Sequence, residues 1–281
     1  MQVFSTKKEL KSYLRSKDTK DCTIGVVPTM GALHLGHLSL VKRAVSENTI
    51  VVVTIFVNPT QFDNQDDLIK YPKTLEKDIQ QLQSVADDII IFAPSTAEIY
   101  SDTIKSKSYN FNGLENVMEG QFRKGHFDGV GTIIEEFFTL VKPDKAYFGE
   151  KDFQQLQIIK KLVAIKKLSV EIIGCPIIRE PNGLAMSSRN ERLSKALRKE
   201  AGFIYRTLLL TKEKFSVKSA NYVTNWVENQ FESHSKLKLE YIKITDADTL
   251  KPVLRKQKNK KYRAFIAVYV NGIRLIDNIA L

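Results

Sequence analysis

A doubly wound α/β parallel sheet followed by a smaller α+β domain is the architecture this sequence predicts, on three observations. Short apolar, β-branched runs alternate with helical patterns through about the first 180 residues, as in strands joined by crossover helices. After "REPNGLAMSSRN" that rhythm stops, and two helical patterns precede three strand-like runs. The last two of those runs flank Asn271-Gly272, the dipeptide of a two-residue hairpin turn.

The elements follow in order. "MQVFSTKKELKSYL" reads as an amphipathic helix from the N-terminus, with no apolar signal core. Strands are expected at 23–27, 50–57, 88–92, 145–148 and 171–178, each a near-continuous apolar run suited to burial on both faces. Pro28 is expected to break the first. Helical patterns fill 36–47, 74–86, 130–141 and 152–167, with apolar residues three and four apart. Helices at 191–214 and 218–232 and strands at 237–245, 263–270 and 273–280 complete the chain. The expected domains are 1–176 and 177–281.

Composition bounds the function class. With 43% hydrophobic and 27% charged residues among 281, the chain can bury a core. Its longest apolar run, 50–57, is far too short for a membrane span. Cys22 and Cys175 lack metal-ligand spacing and read as small hydrophobes in a reducing cytoplasm. A net charge of +11 suits anionic substrates as well as nucleic acid. Its densest run, "KPVLRKQKNKKYR" (251–263), lies between two strands and reads as an exposed hairpin loop.

The chemistry starts at "VVPTMGALHLGHLSLVKRA" (26–44). The first strand ends here, a turn with Gly31 follows, and a helix begins near Leu35 or Gly36. A helix amino end offers unsatisfied N–H groups and a positive dipole to an anion. Gly31 and Gly36 let a nucleotide approach the backbone. His34 and His37, three apart, can point the same way and donate to phosphate oxygens. The spacing matches neither a G-x-G-x-x-G fingerprint nor a Walker-type loop.

"HLGH" resembles the HxGH signature of the adenylyltransferases and class I aminoacyl-tRNA synthetases, which implies a Rossmann-like nucleotide-binding domain. Three further segments carry the likeness further: "FVNPTQF" (56–62), "FGEKDFQQL" (148–156) and "MSSRN" (186–190). In this order, with "DLIKYPKTLEKD" and "FRKGHFDGV", they resemble the pantothenate synthetases (pantoate–β-alanine ligases). The resemblance implies ATP-dependent condensation of (R)-pantoate with β-alanine through a pantoyl adenylate, releasing AMP and pyrophosphate. The product is pantothenate (vitamin B5), the coenzyme A precursor.

The same resemblance assigns residues. ATP is expected on Met30, Gly31, Ala32, Leu33, His34, Leu35, Gly36 and His37, and on Gly149, Glu150, Lys151 and Asp152. Ile178, Met186, Ser187, Ser188 and Arg189 are expected to close over it from the second domain. His37, His34 and Lys151 are the implied catalytic residues. Asp152 would contact the ribose or merely cap a helix. Gln61 and Gln155, with Asn58, Pro28 and Met30, would hold pantoate and β-alanine, and the glutamines add no charge. Met30 and Phe62 would meet the gem-dimethyl group or pack in the core.

Mg²⁺ is expected with ATP, held by phosphates and water rather than by a protein metal site. "DNQDD" (63–67) reads as a solvated loop or a contact to that ion. Arg123 and His126 would reach the site or a subunit boundary. A cytoplasmic homodimer without nucleic-acid or membrane partners completes the expectation. Departures from the family pattern are Thr60, where methionine is expected, and Lys124, where proline is common. "MSSRN" also lacks the second lysine of the synthetase KMSKS loop, which favours a small-molecule ligase. The rivals are a nucleotidyltransferase acting on a phosphorylated substrate and a basic nucleic-acid-binding protein. "FVNPTQF" and "GEKDFQQ" oppose the first, and the absence of aromatics interleaved with the basic run opposes the second.

Overall fold

The structure is a computed structural model that describes residues 1–17, 22–101 and 103–281. The chain forms two compact units, Met1–Glu150 with Gln155–Pro176, and Lys151–Gln154 with Ile177–Leu281.

In the first unit, β1 (Gln2–Phe4), α1 (Lys7–Ser16), β2 (Ile24–Thr29), α2 (Leu35–Glu47) and β3 (Ile50–Ile55) come first. Then follow α3 (Gln65–Ile69), α4 (Leu75–Gln83), β4 (Ile90–Phe92), α5 (Thr96–Tyr100), α6 (Glu119–Phe122), α7 (His126–Val141) and β5 (Lys145–Gly149). α8 (Phe153–Lys166) and β6 (Glu171–Cys175) end it, although the first two residues of α8 count with the second unit. The six strands form one sheet in the order β1-β4-β3-β2-β5-β6, every pair parallel. Val26, Val27, Val51, Val52, Val53, Ile90, Ile91 and Phe92 are all buried. Burying each is worth roughly 1.5–3 kcal/mol, which is why these strands read as unbroken apolar runs. The strand order reverses between β2 and β5, and in such sheets ligands bind beyond the carboxyl ends at that point.

The doubly wound sheet expected from the sequence is present; three local expectations are corrected. The N-terminus begins as strand β1, and α1 starts only at Lys7, after the Thr6–Glu9 capping box. Three residues are too few for a period to show. Pro28 does not end β2, which runs to Thr29 with Pro28 opposite Thr54. Pairing with β5 stops at Val26, so no neighbour on that side needs the N–H that proline lacks. The expected helix 191–214 is broken into a 3₁₀ turn (Ser188–Arg192), α9 (Lys195–Glu200) and α10 (Phe203–Val217). At the second break a Cβ on Gly202 would lie 2.6 Å from the Asn182 carbonyl oxygen.

The second unit continues with α11 (Ala220–Glu232), β7 (Leu237–Asp246), β8 (Tyr262–Val270) and β9 (Ile273–Ala280), an antiparallel sheet in that order. Asn271 and Gly272 turn the β8–β9 hairpin at φ 48° and 75°, both positive as a type I′ turn requires. The helices and sheet share a core that includes Ile204, Leu208, Val223, Val227, Ile266 and Val268. The basic stretch 251–261 joins β7 to β8 and is exposed, with Leu254 at 95%. Among the described residues no helix is long and apolar enough to cross a membrane.

Candidate active site

The turn that leaves β2 is built by hydrogen bonds. Thr29 Oγ1 donates to the Thr54 carbonyl (2.8 Å) and accepts from Gly31 N–H (3.2 Å). Gly31 and Ala32 sit at φ 77° and 49°. The first suits glycine, and the second costs an L-residue about 1–2 kcal/mol. Buried Asp78 on α4 offsets that cost: its carboxylate accepts from Ala32 N–H (3.0 Å) and Leu33 N–H (2.8 Å), with Thr74 Oγ1 at 3.3 Å from both oxygens. A Cβ on Gly31 would stand 3.0 Å from Asp78 Oδ2. Leu33, 6% exposed, anchors the turn in the core of this unit.

His34 is the N-cap of α2, and its Nδ1 accepts from Gly36 N–H at 3.1 Å. An accepting Nδ1 carries no proton, so a neutral ring has its N–H at Nε2. The His37 ring stacks on His34 with centroids 4.0 Å apart and planes at 27°. The sequence expectation that both histidines share one direction is met. The backbone N–H groups of Gly31, Ala32, Leu33 and Gly36 bond within the protein, which fixes the turn ahead of α2.

Gln61 closes the next part of the site from the 3₁₀ turn Pro59–Gln61. It is 8% exposed, and its Nε2 donates to Met30 Sδ at 3.0 Å. This contact brings two of the expected pantoate residues together. Asn58 Nδ2 donates to Gln61 Oε1 (3.1 Å) and to the Gly129 carbonyl (3.0 Å), while its Oδ1 accepts from Thr60 and Tyr100. Burial raises the Tyr100 phenol above its ordinary pKa, so it stays a donor. Asn58, expected to line the pocket, therefore has its whole amide committed to placing Gln61. Arg123 and His126 converge on the same residue: His126 Nδ1 lies 2.7 Å from the Gln61 carbonyl and Arg123 donates to it at 3.2 Å. A Cβ on Gly129 would meet the Thr60 carbonyl oxygen at 2.4 Å, so α7 packs tightly against this turn. Phe62 stacks edge-on against Tyr71 at 5.7 Å. Pro28 is half-buried on β2, Gln155 is half-buried on α8, and Gly149 ends β5 beside Cys175.

Of the other expected nucleotide residues, Gly149 and Glu150 belong to the first unit, and Lys151, Asp152, Ile178 and Met186–Arg189 to the second. Lys151 Nζ lies 3.5 Å from both carboxylate oxygens of Asp152, in the 3₁₀ turn Glu150–Asp152. Ser187 Oγ caps the turn Ser188–Arg192 by accepting from Arg189 N–H at 3.3 Å. Met186 N–H bonds the Ile178 carbonyl at 3.0 Å, so both lie on one short hairpin. Asn190 Nδ2 donates to Glu180 Oε1 (2.7 Å) and to the Ala185 carbonyl (3.0 Å), fixing that hairpin's end.

Asp78 and Tyr100 were missed by sequence reasoning. An acid in the first turn of a helix reads as a dipole partner, and only the fold shows that Asp78 is 1% exposed. Among the described residues no three His, Cys, Asp or Glu side chains are grouped to hold a metal ion. The 63–67 stretch, expected as a loop, instead opens helix α3 with Asn64 as its N-cap; Asp63 pairs with Arg123 at 3.4 Å and Asp66 with Lys70 at 3.8 Å.

Comparison with known proteins bears on this arrangement. A family profile described as Pantoate-beta-alanine ligase matches residues 2–280. A pantothenate synthetase of Christiangramia forsetii is 57% identical over 281 residues, covering 100% of this chain and 99% of its own. One from Flavobacterium psychrophilum is 55% identical, with both chains covered fully. The crystal structure of the Thermus thermophilus pantothenate synthetase superposes with a TM-score of 0.91 at 38% identity, covering 99% of each chain. A Francisella tularensis pantoate-beta-alanine ligase, solved with beta-gamma ATP and beta-alanine, gives a TM-score of 0.82 at 38% identity over 100% of this chain and 97% of its own.

Proposed function

This chain belongs to the pantoate-beta-alanine ligase family, and from that premise we propose that it condenses pantoate with β-alanine by way of a pantoyl adenylate. The observation that carries the reading is the stacked His34–His37 pair beside the Met30–Gln61 contact, at the carboxyl end of β2. One feature suits a triphosphate and the other a small hydroxy acid. In the first step the pantoate carboxylate attacks the α-phosphorus of ATP, and the bond to pyrophosphate breaks. In the second the β-alanine amine attacks the adenylate carbonyl, and AMP leaves with the C–O bond electrons.

The first step asks little acid–base help, whereas in the second the β-alanine ammonium must lose its protons to water or to the departing AMP phosphate. Both steps ask positioning and neutralisation of charge. His34, its tautomer set by Gly36, donates through Nε2 to phosphate oxygen, and His37 assists departure of pyrophosphate. Lys151 supplies a point charge, and Ser187, Ser188 and Arg189 supply further donors to the triphosphate. Gln61 and Gln155 hold the pantoate hydroxyls and carboxylate, and Met30 faces its apolar end. Asn58, Arg123 and His126 fix Gln61 rather than touch substrate. Closure of the second unit over ATP would exclude water from the adenylate. Mg²⁺ enters as part of the nucleotide substrate, carried by phosphates and water. Cys22 and Cys175, both thiols rather than disulfide partners, suit a cytoplasmic setting, and a homodimer is proposed from the family alone.

The test is product formation from ATP, pantoate and β-alanine with each omitted in turn. Pantothenate and AMP should form only with all three, and His37→Ala should nearly abolish pyrophosphate release. A folded wild type that leaves ATP untouched would overturn the reading.

A further inference from the structure

Lys151 lies in sequence between β5 and α8, yet Lys151–Gln154 is built into the second unit. What fastens it there is a pair of adjacent residues on β9. Asn278 Nδ2 donates to the Lys151 carbonyl at 2.9 Å, and its Oδ1 accepts from Arg263 on β8. The Arg263 guanidinium lies 3.9 Å above the ring of Phe153, which in turn meets Phe265 at 5.9 Å. The four-residue segment is thus gripped on its backbone by Asn278 and on its side chain by β8. Asn278 is 1% exposed, so this donor has no water to exchange with.

The preceding residue, Asp277, grips the other nucleotide segment. It is 3% exposed and takes Arg179 in a bidentate pair, NH1 to Oδ2 at 2.6 Å and NH2 to Oδ1 at 3.0 Å. Arg179 NH1 also bonds the Gly183 carbonyl at 3.1 Å, and its guanidinium lies 3.6 Å over the Tyr205 ring. Arg179 bridges Ala185 across the hairpin that delivers Met186, Ser187, Ser188 and Arg189. Asp277 Oδ1 further accepts the N–H of Asn278 at 2.7 Å, which joins the two grips.

We infer that Asn278 and the buried Arg179–Asp277 pair are positioning residues for adenylation, holding Lys151 and Ser187–Arg189 on one rigid frame. The inference rests on the proposed role of Lys151. Nothing in the frame needs to touch substrate. It sets where an ammonium and a set of hydroxyl and guanidinium donors stand relative to each other. A displacement of about 1 Å in such a set can cost about 100-fold in rate.

The test is a double-mutant cycle on full-length enzyme, read as pyrophosphate release with ATP and pantoate and normalised to active sites. Asn278→Ala should lower kcat for this step by roughly 10- to 100-fold while leaving KM for pantoate unchanged. In Lys151→Ala the same Asn278 change should add little, because the segment that Asn278 grips then carries no ammonium to position. Equal multiplicative losses in both backgrounds would overturn the inference. An Asn278→Ala enzyme at wild-type rate would overturn it as well. If Asn278→Ala does not fold, Asn278→Ser keeps a hydroxyl for Arg263, is too short to reach Lys151, and takes its place in the cycle. A fully active Lys151→Ala enzyme would instead remove the premise, and the two failures are therefore distinct.

Discussion

His34 Nδ1 caps α2, which leaves the proton of the neutral imidazole on Nε2 for the proposed contact to phosphate. The two duties separate by substitution. Asparagine is a good N-cap, so His34→Asn should keep stability, whereas His34→Ala should lose about 1 kcal/mol. Both should lose about 100-fold in adenylate formation, the usual cost of one transition-state donor. Thermal unfolding and pyrophosphate release check the pair, and an active His34→Asn would strip the ring of its phosphate role. Asn58 makes the complementary case. Truncation to alanine leaves the Gly129 carbonyl and Gln61 Oε1 buried without their donor. That should cost about 2–4 kcal/mol in denaturant unfolding and raise KM for pantoate with KM for ATP little changed. Residue type and spacing singled out His34 and His37 in the sequence, whereas Gln61 came from the family resemblance alone. Asn58 was named from the same resemblance, but its four hydrogen bonds were not legible, because they are a property of the folded neighbourhood.

Elements hold these residues through two close approaches. Asp78 on α4 gathers the turn after β2, and Asp78→Ala should destabilise the fold by about 2–3 kcal/mol. Hydrogen exchange at Ala32 and Leu33 should quicken first, since their N–H groups lose their acceptor. Unchanged protection there would mean that the turn holds itself. The approach of α7 to the 58–62 segment depends on Gly129, where even one carbon would strike the Thr60 carbonyl. Gly129→Ala should therefore push Gln61 away and raise KM for pantoate, at about 1–3 kcal/mol of stability. The period of the apolar residues revealed α7, but placed its start four residues late. The expected helix 130–141 leaves out Gly129, whereas the helix begins after Gly125 and runs through Gly129. The strand β1 was illegible for the opposite reason. Its three residues gain their order from β4, far along the chain.

At the scale of the molecule, alternation of strand and helix gave the sheet, and the Asn-Gly turn gave the last hairpin. The membership of Lys151 in the second unit was hidden, because it rests on contacts with residues more than a hundred positions away, Asn278 on its carbonyl and β8 on the Phe153 ring. Net charge is the remaining whole-molecule property, at +11. Its densest run is only partly available to a polyanion. Lys256 turns back onto the Phe215 carbonyl and ring, and Lys260 pairs with Asp246 at 3.3 Å. Lys251, Arg255, Lys258 and Lys261 remain the outward cations of an exposed loop. About four phosphate contacts on a single strand imply a log–log salt slope near −2.8, or about a 50-fold loss between 50 and 200 mM salt. Anisotropy with a labelled single-stranded oligonucleotide should show that weak binding, indifferent to sequence and gone near physiological salt. Replacing the four cations with alanine should abolish it while kcat and KM for the ligase reaction hold. Tight, sequence-selective binding at 150 mM salt would contradict this account and make the loop a recognition element. The expected outcome leaves the positive surface a general attraction for anions, and substrate choice to the residues around His34 and Gln61.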